Sequence, residues 1–86
     1  MFKGIVEYLA TKMPSIHKVI RTRINNLGEG VDIYMEVSVV YGFNVIEGLN
    51  EFKQRAKREI ENLTAMNVAE IEVIAKNIYV PEEKEQ

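Results

Sequence analysis

Two carboxylates placed two residues apart are the first candidates for chemistry in this sequence. Glu70 and Glu72 stand in a run of alternating polar and apolar residues, so on a β-strand both side chains point the same way. Paired carboxylates can share a proton or hold a divalent cation. Charged residues of both signs are expected on that face as well: Glu36, Lys76, Arg21 and Arg23. We therefore interpret the pair as part of a solvated, cross-strand ladder of charges.

The single histidine, His17, is the second candidate. A general base needs a partner that orients it and a nucleophile that it activates, and neither stands near His17 in the sequence. We expect it at the surface or at the edge of a hairpin. The chain has no cysteine, which excludes disulfides and thiolate ligands. We thus predict no catalytic, cofactor-binding or metal-binding residues, no cofactor, and a protein that is not an enzyme.

The glycines offer a possible anion site, which the sequence argues against. Gly28-Glu29-Gly30 joins two predicted strands, whereas a phosphate-binding turn joins a strand to a helix. Gly42 and Gly48 flank the start of a predicted helix, where free N–H groups could hold an anion. Glu47 in the first turn already provides negative charge at that position.

Five elements are predicted from turn residues and from the spacing of apolar residues. In chain order they are a helix over Phe2–Met13, a strand over Ser15–Leu27, a strand over Val31–Tyr41, a helix that begins after Asn44, and a strand over Val68–Val80. Pro14 ends the first helix, because the residue before a proline is pushed away from helical backbone angles. Asn25–Gly30 is rich in residues that tolerate a positive φ, which is typical of a hairpin loop.

Apolar periodicity predicts which side of each element is buried. The first helix has its stripe at Ile5, Leu9 and Met13. The second strand alternates a core face (Val31, Ile33, Met35, Val37, Val39) with a face expected in water (Asp32, Tyr34, Glu36, Ser38). The second helix has the stripe Val45, Leu49, Phe52, Ala56, Ile60 and Leu63. The last strand turns Ala69, Ile71, Val73 and Ala75 inward, against Glu70, Glu72 and Lys76.

Polar residues of the second helix predict how it begins and what lies on its outer side. Asn44 is placed as the N-cap, with Glu47 three residues later in a capping-box arrangement. Ion pairs four residues apart are predicted at Glu51–Arg55, Arg55–Glu59 and Lys57–Glu61. The order α-β-β-α-β then predicts an α+β fold, a three-stranded mixed sheet with two helices packed on one face. We expect one domain over residues 1–80 and a short charged tail over residues 81–86.

Composition predicts a cytoplasmic globular protein. The chain has 86 residues, of which 47% are hydrophobic and 28% charged, as in ordinary soluble domains with one modest core. No apolar run reaches the roughly 18–20 residues of a transmembrane helix. Glu7 interrupts what would be the apolar part of a secretory signal. We therefore expect no direct insertion into a membrane.

Charge is distributed in alternating blocks, which bears on nucleic-acid binding. Residues 1–28 and 52–58 each carry a net charge of +4, while residues 29–51 and 59–86 each carry −5. Nucleic-acid binders usually show one dominant basic face. The element order is similar to that of K-homology RNA-binding domains, and Lys53, Lys57 and Arg58 form a small basic cluster. The Gly-x-x-Gly loop of those domains is missing from the sequence, so an RNA-binding module is the alternative and nucleic acid is not the expected partner.

The stretch from Val31 to Val80 resembles the alkaline shock protein family, the bacterial envelope-stress proteins also called the general-stress Gls family. Three segments carry the resemblance: Val37–Glu47, Leu63–Val68 and Ala69–Val73. The positions that count most within them are Tyr41, Gly42, Asn44, Glu47 and Thr64. Ile46 stands where the family has proline, and Ala65 where it often has glycine. The family's N-terminal strand and longer first helix are shortened here to Met1–Met13.

This resemblance implies a non-enzymatic cytoplasmic protein without catalytic residues. Some members of the family are thought to assemble and to associate with the membrane through an anchoring partner, in the context of envelope stress. We accordingly expect a homo-oligomer that forms through sheet edges or through the first helix, and a membrane-anchoring protein as a second partner.

Overall fold

The computed structural model of the protein describes residues 2–82 and confirms the order of elements predicted from the sequence. The elements are α1 (Phe2–Ala10), β1 (Ile16–Asn26), β2 (Gly30–Val40), α2 (Val45–Thr64) and β3 (Asn67–Tyr79). β2 is the central strand, with β1 antiparallel on one side and β3 parallel on the other. The predicted α+β fold with a mixed sheet is thus confirmed. Residues 83–86 of the predicted charged tail lie outside the described residues.

β2 supplies the centre of the core. Its residues on the helix side are at most 2% exposed, as predicted: Val31, Ile33, Met35, Val37 and Val39. Each such side chain contributes on the order of 1.5–3 kcal/mol when it leaves water. The opposite face of β2 is more buried than expected. Ser38 is only 3% exposed, and Asp32, Tyr34 and Glu36 are half-buried. A central strand is covered from both sides by the side chains of its neighbours, which the alternation of one strand does not reveal.

The first helix is shorter than predicted, and its buried stripe lies one residue further along. α1 ends at Ala10, and Met13 follows in a turn in which its N–H donates to the Ala10 carbonyl at 3.1 Å. Val6, Ala10 and Met13 are buried, whereas Ile5 and Leu9 are only half-buried. Ala10 carries the smallest side chain of the stripe, so the helix can approach the rest of the core closely at that point.

The second helix begins as predicted and extends past the core. The N–H of Glu47 donates to Asn44 Oδ1 at 3.0 Å, which confirms the N-cap. Leu49, Phe52, Ala56 and Ile60 are buried, and Val45 is half-buried. Leu63 was expected in the same stripe but is 65% exposed. By its spacing Leu63 lies on the buried side of α2, so its exposure shows that the core ends one turn before the helix.

The last strand contains a step that reverses one prediction. Val68 pairs with Val31, but the next pair is Glu70 with Asp32, so Ala69 is an extra residue. As a result Val68 is buried and Ala69, which was expected to face inward, is exposed. Beyond this step Ile71 and Val73 are half-buried against the core, as predicted. Ala75 lies on the same face but is exposed.

Candidate interaction surface

Charged side chains line the face of the sheet that the helices leave open. Register places Arg21 beside Glu36 and Arg23 beside Tyr34 on β1 and β2, and Glu72 beside Tyr34 on β3. Arg21 Nε lies 3.7 Å from Glu36 Oε1, and the guanidinium carbon of Arg23 lies 5.4 Å from the centre of the Tyr34 ring. The predicted cross-strand ladder of charges is therefore present, and it is a packing arrangement between neighbouring strands.

Tyr34 is the best-connected member of this ladder. Its hydroxyl donates a 2.8 Å hydrogen bond to Glu36 Oε2. This bond to the carboxylate, helped by burial and by the negative charges of Glu36 and Glu72, raises the pKa of Tyr34 above its ordinary value of 10.0. The phenol thus keeps its proton, so it serves as a hydrogen-bond donor and not as a base.

Glu70 and Glu72 lie on the open face, opposite Asp32 and Tyr34 of β2. Within residues 2–82, no set of three or more His, Cys, Asp or Glu side chains converges as a metal site would require. The expectation that the two glutamates belong to a charge ladder agrees with their register. That the protein is not an enzyme stays a prediction.

His17 takes part in a contact that sequence reasoning missed. Its ring stacks on that of Tyr79 with the centroids 3.7 Å apart and the planes 2° from parallel. His17 belongs to β1 and Tyr79 to β3, so the stacked pair crosses over the central strand. His17 is an extra residue of β1, lying between the pairs Ile16–Val39 and Lys18–Ser38. The stacking of His17 on Tyr79 could have been predicted only if the register of β1 on β2 had been known.

One member of the basic cluster on α2 (Lys53, Lys57 and Arg58) makes contacts within the protein. Lys57 Nζ lies 2.8 Å from Glu61 Oε2, and it also donates to the Val68 carbonyl at 3.1 Å. Glu61 Oε2 in turn accepts from the Val68 N–H at 2.9 Å. Of the three ion pairs predicted on α2, Lys57–Glu61 is the one that forms in the described part of the chain. We call these two side chains the Val68 clamp.

The clamp lowers the pKa of the Glu61 carboxyl. The hydrogen bond from Lys57 is the largest cause, followed by the one from the Val68 backbone. Both stabilise the carboxylate relative to the protonated acid. The two side chains occupy the backbone groups of Val68 as a fourth strand would, so the beginning of β3 is closed to further pairing.

Beyond the clamp, the outer edge of β3 is open. No strand lies beside it within the part of the chain that the structure describes. We use the term outer edge for the backbone of Ile71–Ala75 on the side away from β2. Such edges can pair with a further strand. Exposed apolar residues lie at the end of the same strand and just after it: Ile78 of β3 is 60% exposed, and Val80, which follows β3, is 63% exposed.

A second apolar feature surrounds the end of the sheet where β2 and β3 stop. Tyr41, Tyr79, Val80 and Pro81 line one shallow groove there, together with the charged Glu82. The N–H of Tyr41 donates to the Tyr79 carbonyl at 2.8 Å, which holds the two aromatic residues side by side. The sequence predicted Tyr41 as the last residue of a strand, and in the structure it lies immediately after β2. Its exposure was not predicted from the alternation. Exposed apolar groups of this kind mark contact surfaces.

The family described as the ASP23 family, cell envelope-related function, matches residues 1–80 of this chain. No curated protein sequence matches it. None of the described helices combines the length and the apolar character needed to cross a bilayer.

Solved structures of the MamM CTD share the fold. Its copper form has a TM-score of 0.61 at 16% identity and covers 94% of this chain and 95% of that chain. Its nickel form has a TM-score of 0.62 at the same identity and covers 94% of this chain and 96% of that one. At this identity the likeness concerns the fold alone.

Proposed function

This chain belongs to the ASP23 family, the alkaline shock proteins, whose function is related to the cell envelope, and on that premise we propose that it is a non-enzymatic structural protein that works by self-association. Cell-envelope homeostasis or stress is the setting of this role. The proposal includes attachment to the membrane through a second protein that carries the anchor, as the family resemblance implies.

The open outer edge of β3 is the observation that carries the proposal. A long edge strand with exposed apolar residues is a template for pairing with another chain. Ile78, Tyr79 and Val80 are all exposed at its end, so pairing or packing there would remove apolar surface from water. Such a role needs no catalytic residues, since the affinity of strand pairing comes from backbone hydrogen bonds and buried area.

Sedimentation equilibrium over a wide range of protein concentration tests the proposal. We expect an average mass that rises from that of the monomer as the concentration increases. A strict monomer at high concentration would contradict self-association.

Two substitutions separate the surfaces that could be responsible. Ile78→Ser removes an exposed apolar side chain of β3, and Tyr8→Ser removes one of α1. If β3 forms the contact, Ile78→Ser weakens association and Tyr8→Ser leaves it unchanged. The reverse result would assign the contact to the first helix.

A further inference from the structure

We propose that the outer edge of β3 pairs with the same edge of a second copy, antiparallel, about a two-fold axis at Val73. This inference rests on the proposed function and specifies its partner and register. The two sheets would join into one continuous sheet of six strands, in which both sets of helices lie on the same face.

The backbone geometry of β3 shows which residues can form the ladder. Val68 has its side chain on the helix side, and its N–H and C=O point away from β2, toward the clamp. Residues whose side chains lie on the opposite face direct their backbone groups toward β2. Tyr79 is an example, since its carbonyl accepts a hydrogen bond from the N–H of Tyr41, the residue that follows β2. In an extended strand, residues on one face direct their backbone groups to one side. Ile71, Val73 and Ala75, which share the face of Val68, therefore present donors and acceptors to the outer edge.

Opposite residues in an antiparallel pair share a face, which restricts the two-fold axis to a small set of positions. An axis at Glu72 would place that carboxylate directly against its own copy, which is unfavourable. An axis at Ile74 would carry the ladder into the irregular step at Lys76, between the pairs Ala75–Val37 and Asn77–Ser38. An axis at Val73 keeps Ile71–Ala75, a regular segment, on both sides.

Charge complementarity supports the axis at Val73. In that register Glu70 of one copy lies near Lys76 of the other, just beyond the ends of the regular segment, and the symmetry makes this contact twice. Ile71 pairs with Ala75, and Val73 pairs with itself, and each of these pairs exchanges two N–H···O bonds. The half-buried side chains of Ile71 and Val73 would then bury additional apolar surface.

The clamp sets the length of the ladder. In the same register Val68 would stand opposite Ile78 of the second copy, but Lys57 and Glu61 already occupy the backbone groups of Val68. Together with the irregular steps at Ala69 and Lys76, the clamp confines the ladder to the regular segment Ile71–Ala75, a length of roughly 17 Å at about 3.4 Å per residue.

The other edge of the sheet is a poor alternative. β1 has two extra residues, His17 and Ile20, which interrupt its pairing with β2, and such irregular steps protect edges. The charged residues of β1 are all basic: Lys18, Arg21 and Arg23. Pairing of β1 with its own copy would bring like charges together.

Cysteine cross-linking tests the register directly, because the chain has no cysteine of its own. Paired residues that exchange hydrogen bonds have Cα atoms about 5.5 Å apart, within the range of about 4.4–6.8 Å that a disulfide spans. We expect Val73→Cys to form a covalent dimer under mild oxidation. Ile71→Cys and Ala75→Cys should each stay monomeric alone and cross-link when the two variants are mixed.

Charge reversal gives an independent test that leaves the core untouched. Glu70→Lys and Lys76→Glu each place like charges near one another, at two symmetric positions, and should each raise the dissociation constant about tenfold. The double variant Glu70→Lys, Lys76→Glu restores opposite charges and should return the constant close to that of the wild type. Glu51→Lys, on the exposed side of α2, is the matched control and should have no effect.

The outcomes separate this inference from the proposed function. A wild type that associates, while Val73→Cys does not cross-link and the double variant shows no rescue, would overturn the register and leave self-association standing. Cross-links between Ile20→Cys and Val73→Cys would instead indicate head-to-tail pairing of β1 with β3 and overturn the two-fold arrangement. A monomeric wild type would overturn both.

Discussion

Gly48 determines how closely the loop between α1 and β1 approaches α2. A Cβ atom at this position would lie 2.5 Å from Ser15 Oγ and 3.1 Å from Ser15 Cβ. Ser15 is buried, and its hydroxyl has no hydrogen-bond partner among the described residues. The loop therefore packs tightly onto the helix because position 48 has no side chain.

This contact predicts opposite effects for two glycine-to-alanine changes in helices. Gly48→Ala should lower the free energy of unfolding by about 1–2 kcal/mol, because the loop must move to admit the methyl group. Gly4→Ala, in α1, meets nothing within 4 Å and should raise it by about 0.5–1 kcal/mol through helix propensity. Urea denaturation of the two variants and the wild type measures both. Equal stabilisation by the two changes would show that the loop is not close to Gly48.

Tyr34 predicts a dependence of stability on alkaline pH. Its pKa is raised in the folded protein, chiefly by the hydrogen bond to Glu36. A raised pKa means that the stabilising contribution is complete below the ordinary value of 10.0 and is lost as the pH rises through the folded value. The difference in unfolding free energy between the wild type and Tyr34→Phe should therefore shrink above about pH 10.

Urea denaturation at several pH values measures this difference, with Tyr8→Phe as the matched control. Tyr8 is exposed on α1, so its replacement should not change the pH dependence. A constant difference between wild type and Tyr34→Phe across the alkaline range would contradict the role assigned to the Tyr34 hydroxyl.

At the scale of elements, the Val68 clamp joins the last turns of α2 to the beginning of β3. The helix cannot bond to a strand through its own backbone, since its N–H and C=O groups are used within the helix. Lys57 and Glu61, one turn apart, supply a donor and an acceptor instead. The pair thus fixes the register between the helix and the strand and protects the first edge position of β3.

Amide hydrogen exchange at Val68 should report on the clamp. Glu61→Ala removes the acceptor of the Val68 N–H, so exchange of that amide should become faster, while Glu51→Ala, on the same helix, should leave it unchanged. The pKa of Glu61 is lowered, so its contribution is present above the ordinary value of 4.5 and is lost as the pH falls through the folded value. In the wild type, protection of Val68 relative to its intrinsic exchange rate should fall over that acidic range. Protection equal in wild type and Glu61→Ala would contradict the contact.

At the scale of the whole molecule, the shape is elongated. The principal extents are 53 × 21 × 20 Å and the radius of gyration is 13.8 Å, against about 12 Å for a compact chain of this length. Long strands in a narrow sheet produce this shape, since the 13 residues of β3 span roughly 43 Å. A narrow sheet covered by helices on one face has a small core, so association would add to its stability.

Thermal stability should therefore depend on protein concentration. If the folded protein associates and the unfolded chain does not, a hundredfold increase in concentration should raise Tm by about 5 °C. Differential scanning calorimetry measures this shift. Glu70→Lys, which weakens the proposed contact, should reduce it. A Tm that is independent of concentration would contradict association in this range.

The sequence by itself determined those features that depend on residues close together along the chain. The alternation from Val31 to Val39 identified the central buried face, and Asn44 followed by Glu47 identified the start of α2. The segments around Tyr41 and Thr64 indicated the family that matches residues 1–80. Periodicity and capping are local, and a strand or a helix cap needs only its own few residues to be recognised.

The tertiary structure alone decided what depends on strand order and register. The extra residues His17 and Ala69 reassign which neighbours face the core, and no local pattern reveals them. The stacking of His17 on Tyr79 joins residues that are far apart in the sequence. The contact of Lys57 with Val68 joins a helix to the strand that follows it. The surroundings of Glu70 and Glu72 were likewise decided by the fold. Their spacing alone was compatible with a carboxylate site, whereas the sheet places them on the open face of its edge strand β3. Side chains on different elements meet only where packing brings the elements together, and that is a property of the folded chain as a whole.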